Sequence, residues 1–137
     1  KNFIFLIIDY GYNEKEFYHP ERTKGTIQFY KNHKKISDPL TDQGNFDIST
    51  SVDFSRVNRI SNLNNLQLVS YTTQTEFLLN TNILENSLKI NDSNKKNNIL
   101  KTLLLPSDMG ENFKMMILCD DDDGNFKMPF KDFRHKL

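Results

Sequence analysis

The sequence predicts an α/β fold, and three observations carry that expectation. The first is an opening run of six apolar residues, Phe3 to Ile8, that leads directly into Asp9, Tyr10 and Gly11. The second is a strand-like segment, Leu66 to Thr72, followed at once by a helix start signal. The third is another apolar stretch, Phe113 to Cys119, lying beyond a long region with helical spacing. A strand with one wet face alternates apolar and polar side chains. The opening run does not alternate, so it reads as a strand covered on both faces, as in the middle of a parallel sheet. In such sheets ligands lie beyond the carboxyl ends of the strands, where Asp9, Tyr10 and Gly11 would fall. The same residues also suit a buried strand that simply ends in a turn. Six residues are far too few to cross a bilayer as a helix, which takes about 20.

At 137 residues the chain has room for one domain and one core. A doubly covered strand needs neighbours on both sides, yet few other strand candidates follow. The expectation is therefore the carboxyl-terminal part of a larger α/β domain, with a small complete domain as the alternative. Eighteen basic and eighteen acidic residues cancel, which removes the electrostatic case for nucleic acid or a membrane as a bulk partner. The single cysteine, Cys119, admits no internal disulfide and suits a reducing compartment. It follows Met115-Met116-Ile117-Leu118, which makes it a small core residue before it is a nucleophile.

Taken in order, Asn13 to Lys24 is polar, contains Pro20 and reads as loop. Thr, Ile, Phe and Tyr within Gly25–Tyr30 favour a strand. The basic cluster Lys31 to Lys35, with His33 inside it, reads as solvated surface. Asp38 to Asn45 is loop by its Pro and Gly. Thr50 with Asp53 resembles a capping box, and Phe54, Val57, Ile60 and Leu63 then recur every three residues along one helical face. On that reading Asp53 is a capping acid beside the positive end of a helix, and Asp47 a loop acid. After the strand at Leu66–Thr72, Thr73 and Glu76 form a full capping box before Phe77-Leu78-Leu79. Asn80 to Ser107 reads as helical, interrupted around Asn91–Asn98 and stopped by Pro106. Phe113 to Cys119 is the last strand. The acidic run Asp120–Asp123 lacks the ligands of a calcium loop, since a frame centred on Gly124 puts Cys119 first and Phe130 last. It reads as a turn into a hairpin over Phe126–Phe130, with residues 120–137 a mobile tail or hairpin. No phosphate-binding glycine loop, metal-ligand spacing or nucleophile elbow is present.

Five pieces in order resemble one family. They are Ile8 to Tyr12; Gly25 to Tyr30 with His33; Asp38-Pro39-Leu40 through Gly44 to Asp47-Ile48-Ser49 and Val52-Asp53-Phe54; Thr73-Gln74 with Phe77-Leu78; and Met109 to Lys114. Together they resemble the carboxyl-terminal part of the mitochondrial dysfunction protein A family of class I S-adenosylmethionine-dependent methyltransferases. The mitochondrial branch of that family dimethylates an arginine during assembly of respiratory NADH dehydrogenase. The resemblance implies a seven-stranded Rossmann-like methyltransferase sheet with helical insertions, in which Phe3–Ile8 is a late strand and Phe113–Cys119 the antiparallel last one. It implies S-adenosylmethionine as cofactor, bound by an acidic and glycine-rich motif without a counterpart here, and a protein substrate as partner. The compartment would be the cytoplasm of a bacterium or the mitochondrial matrix of a eukaryote. Ser49 stands where the family usually has threonine, and Ser51 where a histidine is common.

A guanidinium acceptor stays charged at neutral pH, so carboxylates are expected to hold it and a base or water to take its proton. On the resemblance, Asp9, Tyr10, Gly11, Tyr12 and Gln74 are the candidate substrate-binding residues. His33 is the candidate base or orienting group, and Asp47 and Asp53 the candidate guanidinium-holding acids. The competing expectation is a noncatalytic interaction module derived from the same fold.

Overall fold

The structure is a computed structural model that describes residues 3–38, 40, 43–120 and 132–137. Its main sheet has four strands: β1 (Ile4–Tyr12), β5 (Val52–Asp53), β6 (Gln67–Thr73) and β7 (Phe113–Cys119), in the order β5-β1-β7-β6. β7 runs antiparallel to both β1 and β6, while β5 pairs parallel with the tip of β1. This is a mixed α/β sheet, with the antiparallel β7 inserted between two strands that share one direction. A second sheet, β3-β2-β4, is built from β2 (Gln28–Lys31), β3 (Lys34–Ile36) and β4 (Asp47–Ser49). The chain passes from the small sheet to the main one between Ser49 and Val52.

β7 has a partner strand on each edge, and Met115 to Cys119 are all buried. On one face Met116 and Leu118 join Phe54 and Tyr71, with Ile7, Val57, Leu68, Phe133 and Leu137 around them. On the other, Ile117 and Cys119 meet Val69 and Phe77. Cys119 is a buried free thiol. Along β6 the register slips by one residue between Leu68 and Ser70.

The opening run departs from the expectation of a strand covered on both faces. β1 pairs with β7 from Ile4 to Tyr10, but among the described residues its other edge is paired only at Gly11 and Tyr12. Phe3, Ile4, Phe5, Leu6 and Ile8 are 43–52% exposed. The physical reason is that, among the described residues, only β5 flanks that edge, and it spans two positions.

The helices follow their caps. Asp53, not Thr50, is the N-cap of α2 (Phe54–Leu63), accepting from the Arg56 amide at 3.0 Å. Thr73 caps α3 (Gln74–Asn80), accepting from the Glu76 amide. The predicted interruption at Asn91–Asn98 lies mostly inside α5 (Ser93–Leu104), because Asp92 accepts from the Asn94 and Lys95 amides and starts the helix there. Asparagine and lysine cost such a helix only tenths of a kcal/mol each, about 0.7 at most. The break falls earlier, between α4 (Ile83–Ser87) and Asp92. Within the predicted loop after β1, Asn13 caps a single turn, α1 (Glu14–Phe17). The hairpin expected over Phe126–Phe130 lies outside the described residues. Where a frayed end was expected, Phe133 donates its amide to the Tyr71 carbonyl at 2.6 Å and packs with Leu137 on the core before and after a 3₁₀ turn, Arg134–Lys136.

Candidate functional site

A cavity of about 460 Å³ opens where the tip of β1 meets the small sheet. Tyr10, Gly11 and Tyr12 form one wall, Thr26, Gln28 and Tyr30 with Ser49 and Ser51 the opposite one, and Asp108, Asn112 and Phe113 the third. This is the carboxyl end of β1, where a ligand of such a sheet is expected.

Each wall has a local cause. Alternation along β1 sends Tyr10 and Tyr12 to one face and Asp9 to the other. Tyr10 meets the Phe113 ring edge-on at 5.8 Å between centroids, across the β1–β7 ladder. Gly11 is required by close approach: a Cβ there would meet the Val52 carbonyl oxygen and lie 2.7 Å from Phe54 Cε2. Thr26, Gln28 and Tyr30 sit at every second position, so a single face of that segment supplies all three. The Tyr30 hydroxyl donates to Gln28 Oε1, and Thr26 Oγ1 lies 2.8 Å from Thr50 Oγ1, which ties the second wall together. Arg22 sets its guanidinium carbon 4.2 Å from the centre of the Tyr12 ring, a cation–π contact, and its Nε donates to the Glu16 carbonyl.

The sequence-predicted residues are divided by this geometry. Tyr10, Gly11 and Tyr12 come together in the cavity wall. Asp9 does not line it; its Oδ1 accepts from the Tyr10 amide at 2.8 Å, and its ladder partner is Lys114. His33 is exposed in the two-residue turn that joins β2 to β3, with φ 62° beside Asn32 at 49°, the double left-handed turn that suits a tight hairpin. Asp47 is exposed on β4, opposite Tyr30 and two residues from Ser49, so it shares the face of Ser49 without lining the cavity. Asp53 is occupied as the α2 cap. Gln74 is buried and its Nε2 donates to the Leu103 carbonyl at 2.9 Å, pinning α3 to the last turn of α5.

Sequence reasoning did not single out Thr26, Gln28, Tyr30, Ser49, Ser51, Asp108, Asn112 or Phe113 as site residues. The alternation of hydroxyl, amide and hydroxyl through Thr26-Ile27-Gln28-Phe29-Tyr30 was the available signal, because it marks one polar face of a strand. Both departures from the resembled family, Ser49 and Ser51, lie in the lining. Among the described residues no cluster of three His, Cys, Asp or Glu side chains could hold a metal, and no helix is long and apolar enough to cross a membrane.

Comparison with known proteins places the fold. A crystal structure of a COG1565 superfamily member from Burkholderia thailandensis, bound to S-adenosyl-homocysteine, superposes with a TM-score of 0.88 at 28% identity. A native structure of an uncharacterized COG1565 superfamily protein from the same organism gives 0.89 at 28% identity. Each match covers 98% of this chain, whereas the chain spans only 36% and 37% of the two longer proteins. Residues 1–72 match the family model described as "Putative S-adenosyl-L-methionine-dependent methyltransferase". That match takes in the first strand, the small sheet and most of the cavity wall, and by it the chain belongs to this methyltransferase family.

Proposed function

We propose that this chain supplies the acceptor-binding side of an S-adenosylmethionine-dependent methyltransferase and that the acceptor is a protein arginine. The cavity at the tip of β1, with its three tyrosines, carries the reading. Arg22 on the Tyr12 ring supports it further, because the ring already seats a guanidinium within the same chain.

The described residues do not form a cradle for the cofactor itself. Gly11 has its Cβ space filled by Val52 and Phe54, and Gly25 and Gly44 sit at positive φ with no described atom within 4 Å of such a Cβ. No step is therefore assigned to cofactor contacts here; S-adenosylmethionine would supply an electrophilic methyl group from a site built by other residues. What these residues do is hold the acceptor. Tyr10, Tyr12 and Tyr30 offer faces on which a planar cation stacks, and their hydroxyls, Gln28 Oε1 and the Asp108 carboxylate accept from its N–H groups. Most of the rate gain in methyl transfer comes from such positioning. Ser49 and Ser51, both small, leave room beside the stacked group.

The test is transfer of labelled methyl from S-adenosylmethionine by the intact protein to arginine-containing protein substrates, read as methylarginine after hydrolysis. Tyr12→Ala is expected to lower kcat/KM about tenfold or more with little change in melting. Label on another residue type would overturn the arginine assignment. Cofactor binding without any transfer would favour the noncatalytic module.

A further inference from the structure

On the face of β7 opposite the acceptor cavity lies a second, smaller cavity of about 110 Å³. Its lining includes Tyr71, Thr73, Lys114, Lys136, Glu16 and Glu111. Tyr71 is 2% exposed and, among the described residues, its hydroxyl has no hydrogen-bond partner. A buried hydroxyl left in that state is costly, and native structures rarely leave one without a ligand or water.

Two cations share the space. Lys114 Nζ donates to the Glu111 backbone carbonyl, and Lys136 Nζ lies 4.6 Å from the centre of the Phe133 ring. Among the described residues neither ammonium is ion-paired with a carboxylate, and the two acids of the lining are exposed at its rim. Thr73 Oγ1 accepts from the Glu76 amide, which leaves its own hydrogen to donate. Burial pushes the Tyr71 pKa up, with Glu16 and Asp53 adding to the rise, so the phenol remains a donor through the neutral range. Burial also pulls the Lys114 pKa below its ordinary value, against the pull of Glu16 and Glu111, so an anion beside it would be welcome. A neighbouring cavity of about 460 Å³ shares Lys136 and Glu16 and adds Lys15 and His135, which makes the approach basic as well.

We propose that this cavity is a binding site for a small oxyanion group, a carboxylate or a phosphate, held by the Tyr71 hydroxyl and the Lys114 ammonium with Thr73 as a third donor. The volume is enough for one such group or a few waters. The proposal is independent of methyl transfer, since none of these side chains lines the acceptor cavity.

Thermal unfolding of the intact protein, titrated with sodium phosphate, sodium acetate or sodium chloride at matched ionic strength, tests it. A saturable rise in Tm is expected with phosphate or acetate and not with chloride, and the oxyanion that saturates identifies the class. Tyr71→Phe is expected to keep the fold and weaken the apparent affinity about tenfold. Lys114→Gln is expected to abolish the saturable response, whereas the exposed Lys101→Gln leaves it intact. An equal response to chloride, no response in the unmodified protein, or the same response in Tyr71→Phe and Lys114→Gln would overturn the proposal. So would a crystal grown in phosphate or acetate that shows only water against Tyr71.

Discussion

β1 and β7 are neighbours with nearly interchangeable apolar sequences, Phe3–Ile8 against Met115–Cys119, yet their surroundings differ completely. β7 has a strand on each edge and side-chain layers on both faces, and its last five residues are buried. β1 shares one ladder with it, but four of its large apolar side chains, Ile4, Phe5, Leu6 and Ile8, stand 48–52% exposed. An unbroken apolar run therefore states what a strand tolerates, and the neighbouring elements decide what it receives. The apolar face along β1 would contribute free energy only when covered, at about 25 cal/mol per Å² of area removed from water.

The sharpest test of that contrast compares two truncations in the 137-residue chain. Met116→Ala, at a position with no exposed surface, is expected to cost about 3 kcal/mol in denaturant unfolding. Ile4→Ala, at 52% exposure, is expected to cost less than about 1 kcal/mol. Equal costs would mean that β1 is covered in solution. The next effect concerns the place where, among the described residues, the outer edge of β1 is paired. Gly11→Ala, which would force a methyl group onto the Val52 carbonyl and the Phe54 ring, is expected to cost about 2 kcal/mol and to distort the acceptor cavity.

Smaller changes separate structural from chemical roles. Asp53→Ala should cost about 1 kcal/mol through the lost α2 cap, whereas Asp53→Asn keeps the cap within a few tenths. If Asp53→Asn melts normally but loses methyl transfer, the carboxylate acts beyond capping. The smallest effect is at Tyr71. Its folded pKa lies above the unfolded value of about 10, so the stability it confers is complete below about pH 10 and declines as pH rises past that point. Tyr71→Phe should flatten stability against pH above about 10 and change it by less than about 1 kcal/mol at neutrality, because the hydroxyl makes no bond.

The frame was legible in the sequence where local signals agreed with the final packing. Phe113–Cys119, the Leu66–Thr72 strand and the Thr73–Glu76 cap each needed only near neighbours to be read. The small sheet was legible only in part, since β3 and β4 are short, polar and held by pairing with β2 rather than by an apolar face. His33 read as a reactive candidate because a hairpin turn made of Asn-His carries no glycine to announce it. That Tyr10, Gly11 and Tyr12 stand together at the end of β1 was legible because a strand tip can be located from one run. The second wall of the cavity depends on pairing residues as far apart as Gln28 and Ser49, which a linear reading does not bring together.

The slip in β6 has a consequence for how that strand can evolve. Leu68 reaches the Phe54 layer from an even-numbered position, while Tyr71 and Thr73, paired with Met116 and Lys114, reach the same side from odd-numbered ones. Val69 is the surplus residue that inverts the parity. Deleting it would restore uninterrupted alternation with Leu68 still opposite Leu118 and Ser70 still opposite Ile117, so every remaining side chain would keep its side and only the bulge and the Val69 packing would be lost. A one-residue loss there would thus be the removal of a bulge, whereas the loss of Tyr71 or Thr72, where the ladder is regular, would turn half the strand onto the wrong side.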